Sequence, residues 1–143
     1  MLIGIAAVSL NNVIWKEWKI PWHVSSEFKF FKETTIGSTL IMGRKTFDSV
    51  WTLPGRETIV VSRSTPFNIG EIIELAQTKD VYVCGWAEIY KMFMPHMDKF
   101  ILSRIDIIVE WGDTFLPPLD GFFLSEPPEE FGMFSVSRYL KME

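Results

Sequence analysis

Three times along this chain, an apolar run rich in β-branched residues leads into a short turn, and after two of them a helical stretch follows. Thr39–Met42 runs into Gly43-Arg44-Lys45-Thr46 and on to residues 47–51. Thr58–Val61 runs into Ser62-Arg63-Ser64. Val81–Cys84 runs into Gly85-Trp86-Ala87 and a helix through Met94 that stops before Pro95. Strands that are apolar on both faces must be covered on both faces, and strand–turn–helix repeats return successive strands in parallel. Leu2–Ser9 reads as a further buried strand and Phe100–Asp106 as another. The tail from Phe122, with Phe134–Leu140 alternating, reads as antiparallel strands at the sheet edge. The predicted architecture is therefore α/β: a central mixed sheet, mostly parallel with an antiparallel C-terminal edge, flanked by helices. Residues 13–23 read as a loop carrying Trp15, Trp18 and Trp22, with Pro21 excluding a helix there. Pro127-Pro128-Glu129-Glu130 reads as a turn rather than a boundary, so the 143 residues form one domain, 1–143.

Charge and cysteine usage narrow the function. A net charge of −4 lacks the basic face that broad nucleic-acid binding needs. One cysteine, Cys84, excludes an internal disulfide, and no Cys/His set has zinc-ligand spacing. Met1–Leu10 is apolar but has no basic leader and gives way at once to Asn11-Asn12, unlike a secretion signal. With no stretch long enough to span a bilayer, the expectation is a cytoplasmic monomer that takes a small molecule. Six Trp and twelve Phe suit a pocket with flat walls and a dense small core equally well.

One carboxylate stands out. Counted from Val24, helical spacing groups Glu27 with Phe28 and Phe31, while Ser26, Lys29 and Glu33 take the opposite face. Ser25 or Ser26 can cap this helix, which ends near Thr35 with Gly37 as its stop. An inward carboxyl among aromatics resists ionisation, because burial penalises its charged form. With the helix turned by one residue, Glu27 instead reaches water at a rim. Both placements stay open.

Ligands bind beyond the ends of parallel strands in α/β sheets. Gly43 allows a tight turn there, and Arg44, Lys45 and Thr46, with Ser62 and Arg63, can hold phosphates. Equally, they are the ordinary residues of solvated loops, and neither a glycine-rich dinucleotide fingerprint nor a P-loop is present. Arg56, after Leu53-Pro54-Gly55, is a planar fork for a carboxylate or a turn arginine paired with a nearby Glu. Ser103 either supports Glu27 or is satisfied by its strand neighbours. His23 has the setting of a solvated loop histidine, and Cys84 that of a packing residue.

In order and spacing these residues resemble the dihydrofolate reductase family over nearly the whole chain. The matching stretches are Ile5-Ala6-Ala7, Val13-Ile14, Pro21-Trp22, Glu27 with Phe31-Lys32, and Ile41-Met42-Gly43-Arg44-Lys45-Thr46-Phe47 with Ser49. Leu53-Pro54-Gly55-Arg56, Val83-Cys84-Gly85 with Ile89-Tyr90, Leu102-Ser103, Ile105-Asp106 and Gly112-Asp113-Thr114 complete the register. The resemblance implies a shortened sheet of that family and reduction of 7,8-dihydrofolate by NADPH, with hydride delivered to C6 and N5 protonated with the help of Glu27. It places Trp22 and Ser103 beside Glu27 as the catalytic set. Ile5, Ile20, Glu27, Phe28, Phe31, Val50, Leu53, Arg56, Cys84 and Ser103 would hold the substrate, with Arg56 on its glutamate tail. Ala7, Ile14 and Tyr90 would line the nicotinamide. Arg44, Lys45 and Thr46 would hold the cofactor's phosphates and Ser62 and Arg63 its 2′-phosphate, with Gly43, Gly85, Trp86, Ala87 and Ile89 also in the cofactor site. Antifolates would compete for the same pocket, and no metal is implied. Two departures stand out: Trp15 occupies a family glycine position, and Trp86 replaces the second of two glycines whose peptide is cis in the family. The segment from Ser64 to Val81 looks too brief for the usual adenine-binding connection. Two rival readings are a riboflavin-pathway reductase of the same fold and a folate- or nucleotide-binding protein with little turnover.

Overall fold

The computed structural model describes residues 1–15, 25–44, 55–61, 69–85, 87–110, 112 and 114–142. In chain order these form β1 (Leu2–Val8), β2 (Val13–Trp15), α1 (Ser25–Thr35), β3 (Thr39–Gly43), β4 (Glu57–Val61), α2 (Ile69–Thr78), β5 (Val81–Val83) and α3 (Ala87–Phe93). A 3-10 turn (Met94–His96), β6 (Lys99–Ile105), β7 (Thr114–Phe115), β8 (Phe122–Leu124), β9 (Glu129–Glu130) and β10 (Phe134–Lys141) follow.

The main sheet runs β4-β3-β5-β1-β6-β10-β8, with β9 added onto β10. The pairs β4–β3, β3–β5, β5–β1 and β1–β6 are parallel, so five strands end on the same side. β10 pairs antiparallel with β6, β8 and β9, which makes the mixed C-terminal edge. The predicted α/β class and its antiparallel edge are both present.

β1 shows why the chain adopts this order. It lies between β5 and β6 and is apolar on both faces, as a central parallel strand must be. Leu2, Ala6 and Val8 point into a core with Ile72 and Ala76 of α2 and Ile89, Tyr90 and Phe93 of α3. Ile3 and Ile5 point the other way, into a core with Leu40, Met42, Tyr82, Cys84, Ile101 and Ile105, against which Phe30 and Phe31 of α1 pack. Helices thus cover both faces. Gly4 is required at its place, since a Cβ there would lie 2.4 Å from the Phe100 ring.

Local signals set the element ends. Gly37, at φ 77°, follows α1 in the left-handed region where glycine is favoured. Pro95 falls in the 3-10 turn rather than beyond the helical stretch. Two expectations are corrected. Residues 13–15, read as loop, form a strand that pairs with β7, Val13 opposite Phe115 and Trp15 opposite Thr114. Glu129-Glu130, read as turn, pairs with Val136 and Ser135. Both strands are too short to carry a periodic signal, and each exists through a partner distant in sequence.

Candidate active site

The site lies where the parallel strands end. β1 and β5 pair only as far as Gly4 opposite Val83. Beyond that point they separate. β1 stays with β6 through Val8 opposite Arg104, while the Cys84 amide donates to the Ile41 carbonyl of β3 at 2.9 Å. The sheet therefore opens at Ile5 on one lip and at Cys84 and Gly85 on the other. Gly85 has φ 126°, a backbone state that L side chains rarely adopt.

Helix α1 crosses the face of the sheet that carries Ile5 and Cys84. Its sheet-facing stripe contains Glu27, Phe30, Phe31 and Thr35; Phe28 stands 39% exposed, with the Lys32 ammonium 4.7 Å from its ring centroid. At 100° per residue, Phe30 lies closer in phase to Glu27 than Phe28 does. Phe30, missed in the sequence reading, packs its ring against Phe131 and Phe134 at centroid distances of 5.7 and 6.3 Å. Counting the phase outward from Glu27 itself, rather than from Val24, would have found it.

Glu27 is partly buried, and burial alone pushes its carboxyl up from 4.5 to about 7. Among the described residues no hydrogen bond or ion pair reaches it. The carboxyl is therefore still about half protonated at neutral pH, on a side chain that is neither fully inward nor free in water. Its charge is felt across the opening: together with burial and Cys84, ionised Glu27 disfavours loss of the Tyr90 proton. Burial also pushes the Cys84 thiol up to about 12, so Cys84 is an inert wall rather than a nucleophile.

The far end of α1 holds Arg56. Its Nε donates to Thr35 Oγ1 at 2.8 Å, and an Nη donates to the Lys32 carbonyl. The Thr35 hydroxyl in turn donates to the Phe31 carbonyl at 2.8 Å, and Thr35 is completely buried. The last turn of α1 thus fixes a guanidinium to its C-terminal end, where cations are favoured. In the sequence Thr35 marked only a helix end; its part as the anchor of Arg56 links positions 21 residues apart.

The other predicted residues fall as follows. Ile5 is buried at the lip, and Ala7 is half-buried near the end of β1. Ser103 is 1% exposed in β6, opposite Ala7 and Val136, on the α1 side of the sheet; among the described residues no hydrogen bond joins it to Glu27. Ile14 is buried on the opposite side, in the core that includes Tyr90. Gly43 ends β3 against Ile89, where an added Cβ would meet the Ile89 side chain at 3.4 Å, and Arg44 is exposed in helical backbone. Ala87 opens α3. The Tyr90 hydroxyl sits between the two lips, accepting from the Gly85 amide at 2.9 Å and donating to the Ile5 carbonyl at 2.8 Å. Trp22, Ile20, Val50, Leu53, Lys45, Thr46, Ser62, Arg63 and Trp86 lie outside the described residues, as does the Gly85–Trp86 peptide.

The fold that sets a near-neutral carboxyl on α1, an arginine against its far end and an opened parallel sheet beside them has clear counterparts among known proteins. The sequence profile of the family described as dihydrofolate reductase matches residues 1–127. The chain belongs to the dihydrofolate reductase family. It is 36% identical over 126 residues to the dihydrofolate reductase of Haemophilus influenzae, covering 81% of this chain and 78% of that one. It is 31% identical over 141 residues to that of Mycobacterium tuberculosis, covering 90% and 88%. It is also similar to the structure of dihydrofolate reductase from Enterococcus faecalis complexed with NADP(H) and RAB-propyl. There the TM-score is 0.87 at 29% identity, over 100% of this chain and 97% of that one. As a dihydrofolate reductase the protein is an oxidoreductase, and the resemblance first seen in its motifs holds at the level of the fold. Among the described residues no helix is long and apolar enough to cross a membrane.

Proposed function

We propose that this protein reduces 7,8-dihydrofolate to tetrahydrofolate with NADPH, and that Glu27 holds the proton taken up at N5. The observation that carries this reading is the Glu27 carboxyl, raised to about 7 by burial on the wall of the opened sheet. A carboxylic acid that is still half protonated at neutral pH can hydrogen-bond a pterin ring and release a proton as the ring becomes basic. An ordinary surface carboxylate near its usual value could not hold that proton. The substrate's shape matches α1. Glu27 and Thr35 are eight residues apart, about 12 Å along the axis, so the helix offers an acid at one end and the Arg56 guanidinium at the other. That suits a ligand with a hydrogen-bonding ring at one end and a carboxylate tail at the other.

The residues present fit a nicotinamide dinucleotide. The β1–β5 opening gives a slot between strands, the glycines at the ends of β3 and β5 allow close backbone approach, and Arg44 adds a cation beside them. When bound, the cofactor supplies the hydride. Ile5, Cys84 and Phe31 exclude water around the reacting ring, Glu27 keeps its proton until the ring needs it, and Arg56 orients the tail. The Glu27 carboxyl is the source of the proton that N5 takes up. Ser62 and Arg63 would take the 2′-phosphate and so favour NADPH over NADH. An antifolate with a cationic ring would pair with Glu27 in its ionised form.

The test is single-turnover hydride transfer in Glu27→Gln, with NADPH affinity measured alongside. We expect the step to slow by ~10²-fold or more at neutral pH, with the NADPH dissociation constant nearly unchanged. Equal loss of rate and cofactor affinity would make Glu27 a structural residue and defeat the proposal.

A further inference from the structure

The slot between β1 and β5 is bridged by a side chain rather than by backbone. One further step in register would place Ile5 opposite Cys84 and close the sheet. Each strand is instead held from its outer side, β1 by β6 and Cys84 by β3. The Gly85 N–H and the Ile5 carbonyl are left on facing lips. The Tyr90 hydroxyl stands between them, accepting from the first and donating to the second. A direct inter-strand bond would bring nitrogen and oxygen to ~2.9 Å; a relay through an inserted oxygen roughly doubles that reach.

The phenol is well anchored for this task. Tyr90 is 2% exposed, its ring packs 5.8 Å from the Phe100 ring centroid, and Phe93 of the same helix lies in the same core. Helix α3 thus delivers a rigid hydroxyl back to the strand end it has just left. Burial, with the charges of Cys84 and Glu27, keeps the phenol protonated, so it donates and accepts.

We propose that the Tyr90 hydroxyl is the spacer that holds β1 and β5 apart, and so sets the width of the slot that admits the nicotinamide ring. The assignment makes Tyr90 a positioning residue and rests on the NADPH reading above for the identity of the ring. Without the oxygen, the Gly85 amide and the Ile5 carbonyl each lose that buried partner. Pairing with each other is then their nearest remedy, and it narrows the slot.

Two measurements decide it. In the unmodified, ligand-free protein, amide hydrogen exchange at Gly85 should be as slow as at the strand-paired amide of Cys84; rapid exchange at Gly85 would overturn the spacer. Tyr90→Phe removes only the oxygen and keeps the ring packed. Its affinities for NADPH and for 2′-phospho-ADP-ribose, which has the phosphates but no nicotinamide, are then read by tryptophan fluorescence. We expect NADPH to weaken ~tenfold, the size of one lost buried hydrogen bond, and the truncated ligand to change less than about twofold on the same scale. Rescue by any residue lacking a hydroxyl, or equal weakening of both ligands, would contradict the proposal. If the unmodified protein binds NADPH no better than the truncated ligand, the NADPH reading fails; exchange at Gly85 still decides whether Tyr90 spaces the strands.

Discussion

The two faces of the central sheet are built from the same strands and do different work. On the α2/α3 side, Val8, Phe93 and Phe100 are fully buried and pack with Ile72 and Ala76 into a closed apolar core. On the α1 side the apolar layer is interrupted by a carboxyl, Glu27, raised to about 7. Alternation along β1 and β6 assigns residues to the two faces one by one. A fold can thus give one face wholly to stability and leave the other to hold a costly, partly buried acid. The two faces meet at the β1–β5 opening, where Tyr90 from one side bridges the lip formed by Ile5 on the other.

That contrast can be broken first on the closed face. Phe100→Ala should cost about 3–5 kcal/mol of folding free energy by emptying a packed site, measured by urea unfolding. The Glu27 titration should stay where it was. A cost near zero would mean that this face is not the closed core described.

The open face should show the opposite sign. The folded-state value for Glu27, about 7, lies above its ordinary 4.5, so the folded protein binds the extra proton. Its contribution to stability is complete below 4.5 and is lost as pH rises through 7. The loss is at most about 3 kcal/mol, at 1.36 kcal/mol per pH unit, and less with the partial exposure of the side chain. Glu27→Gln should remove this slope and raise stability at mildly alkaline pH. Unfolding curves with the same pH slope in both proteins would show that Glu27 is not desolvated. In turnover, the same group predicts a hydride-transfer rate that falls as pH climbs past about 7.

How much of this was readable in advance differs between the two faces. The buried strands announced themselves, because β-branched runs bounded by turns are local. Glu27 was less legible: helical spacing set it among aromatics but left its placement, inward or at a rim, open, and one of those aromatics, Phe28, is exposed. Phe30 was lost to helix phase, since a rotation set one residue off puts Phe28 where Phe30 belongs. The Thr35–Arg56 clamp, the β2–β7 pairing and the departure of β5 from β1 depend on registers between distant segments. No local pattern encodes where two strands stop pairing.

The anchor at the far end of α1 is a smaller test. Thr35→Val removes the acceptor of the Arg56 Nε and should raise KM for dihydrofolate about tenfold, as one lost hydrogen bond to a charged group. Thr35→Ser should restore it, and a dihydropterin without the glutamate tail should be unaffected by either change. Equal effects on both substrates would detach Thr35 from tail binding. The smallest effect belongs to the exposed side of α1. Lys32→Met should lose the ammonium over Phe28 and shift stability by about 0.5 kcal/mol, a difference visible only in a careful melting series.

The most direct measurement is the protonation of Glu27 itself. Infrared difference spectra would follow its carboxylic-acid C=O stretch against pH, with the band identified by its loss in Glu27→Gln. Half-ionisation near pH 7 is the predicted result. A midpoint near the ordinary 4.5, with the carboxylate already formed in mild acid, would contradict the account.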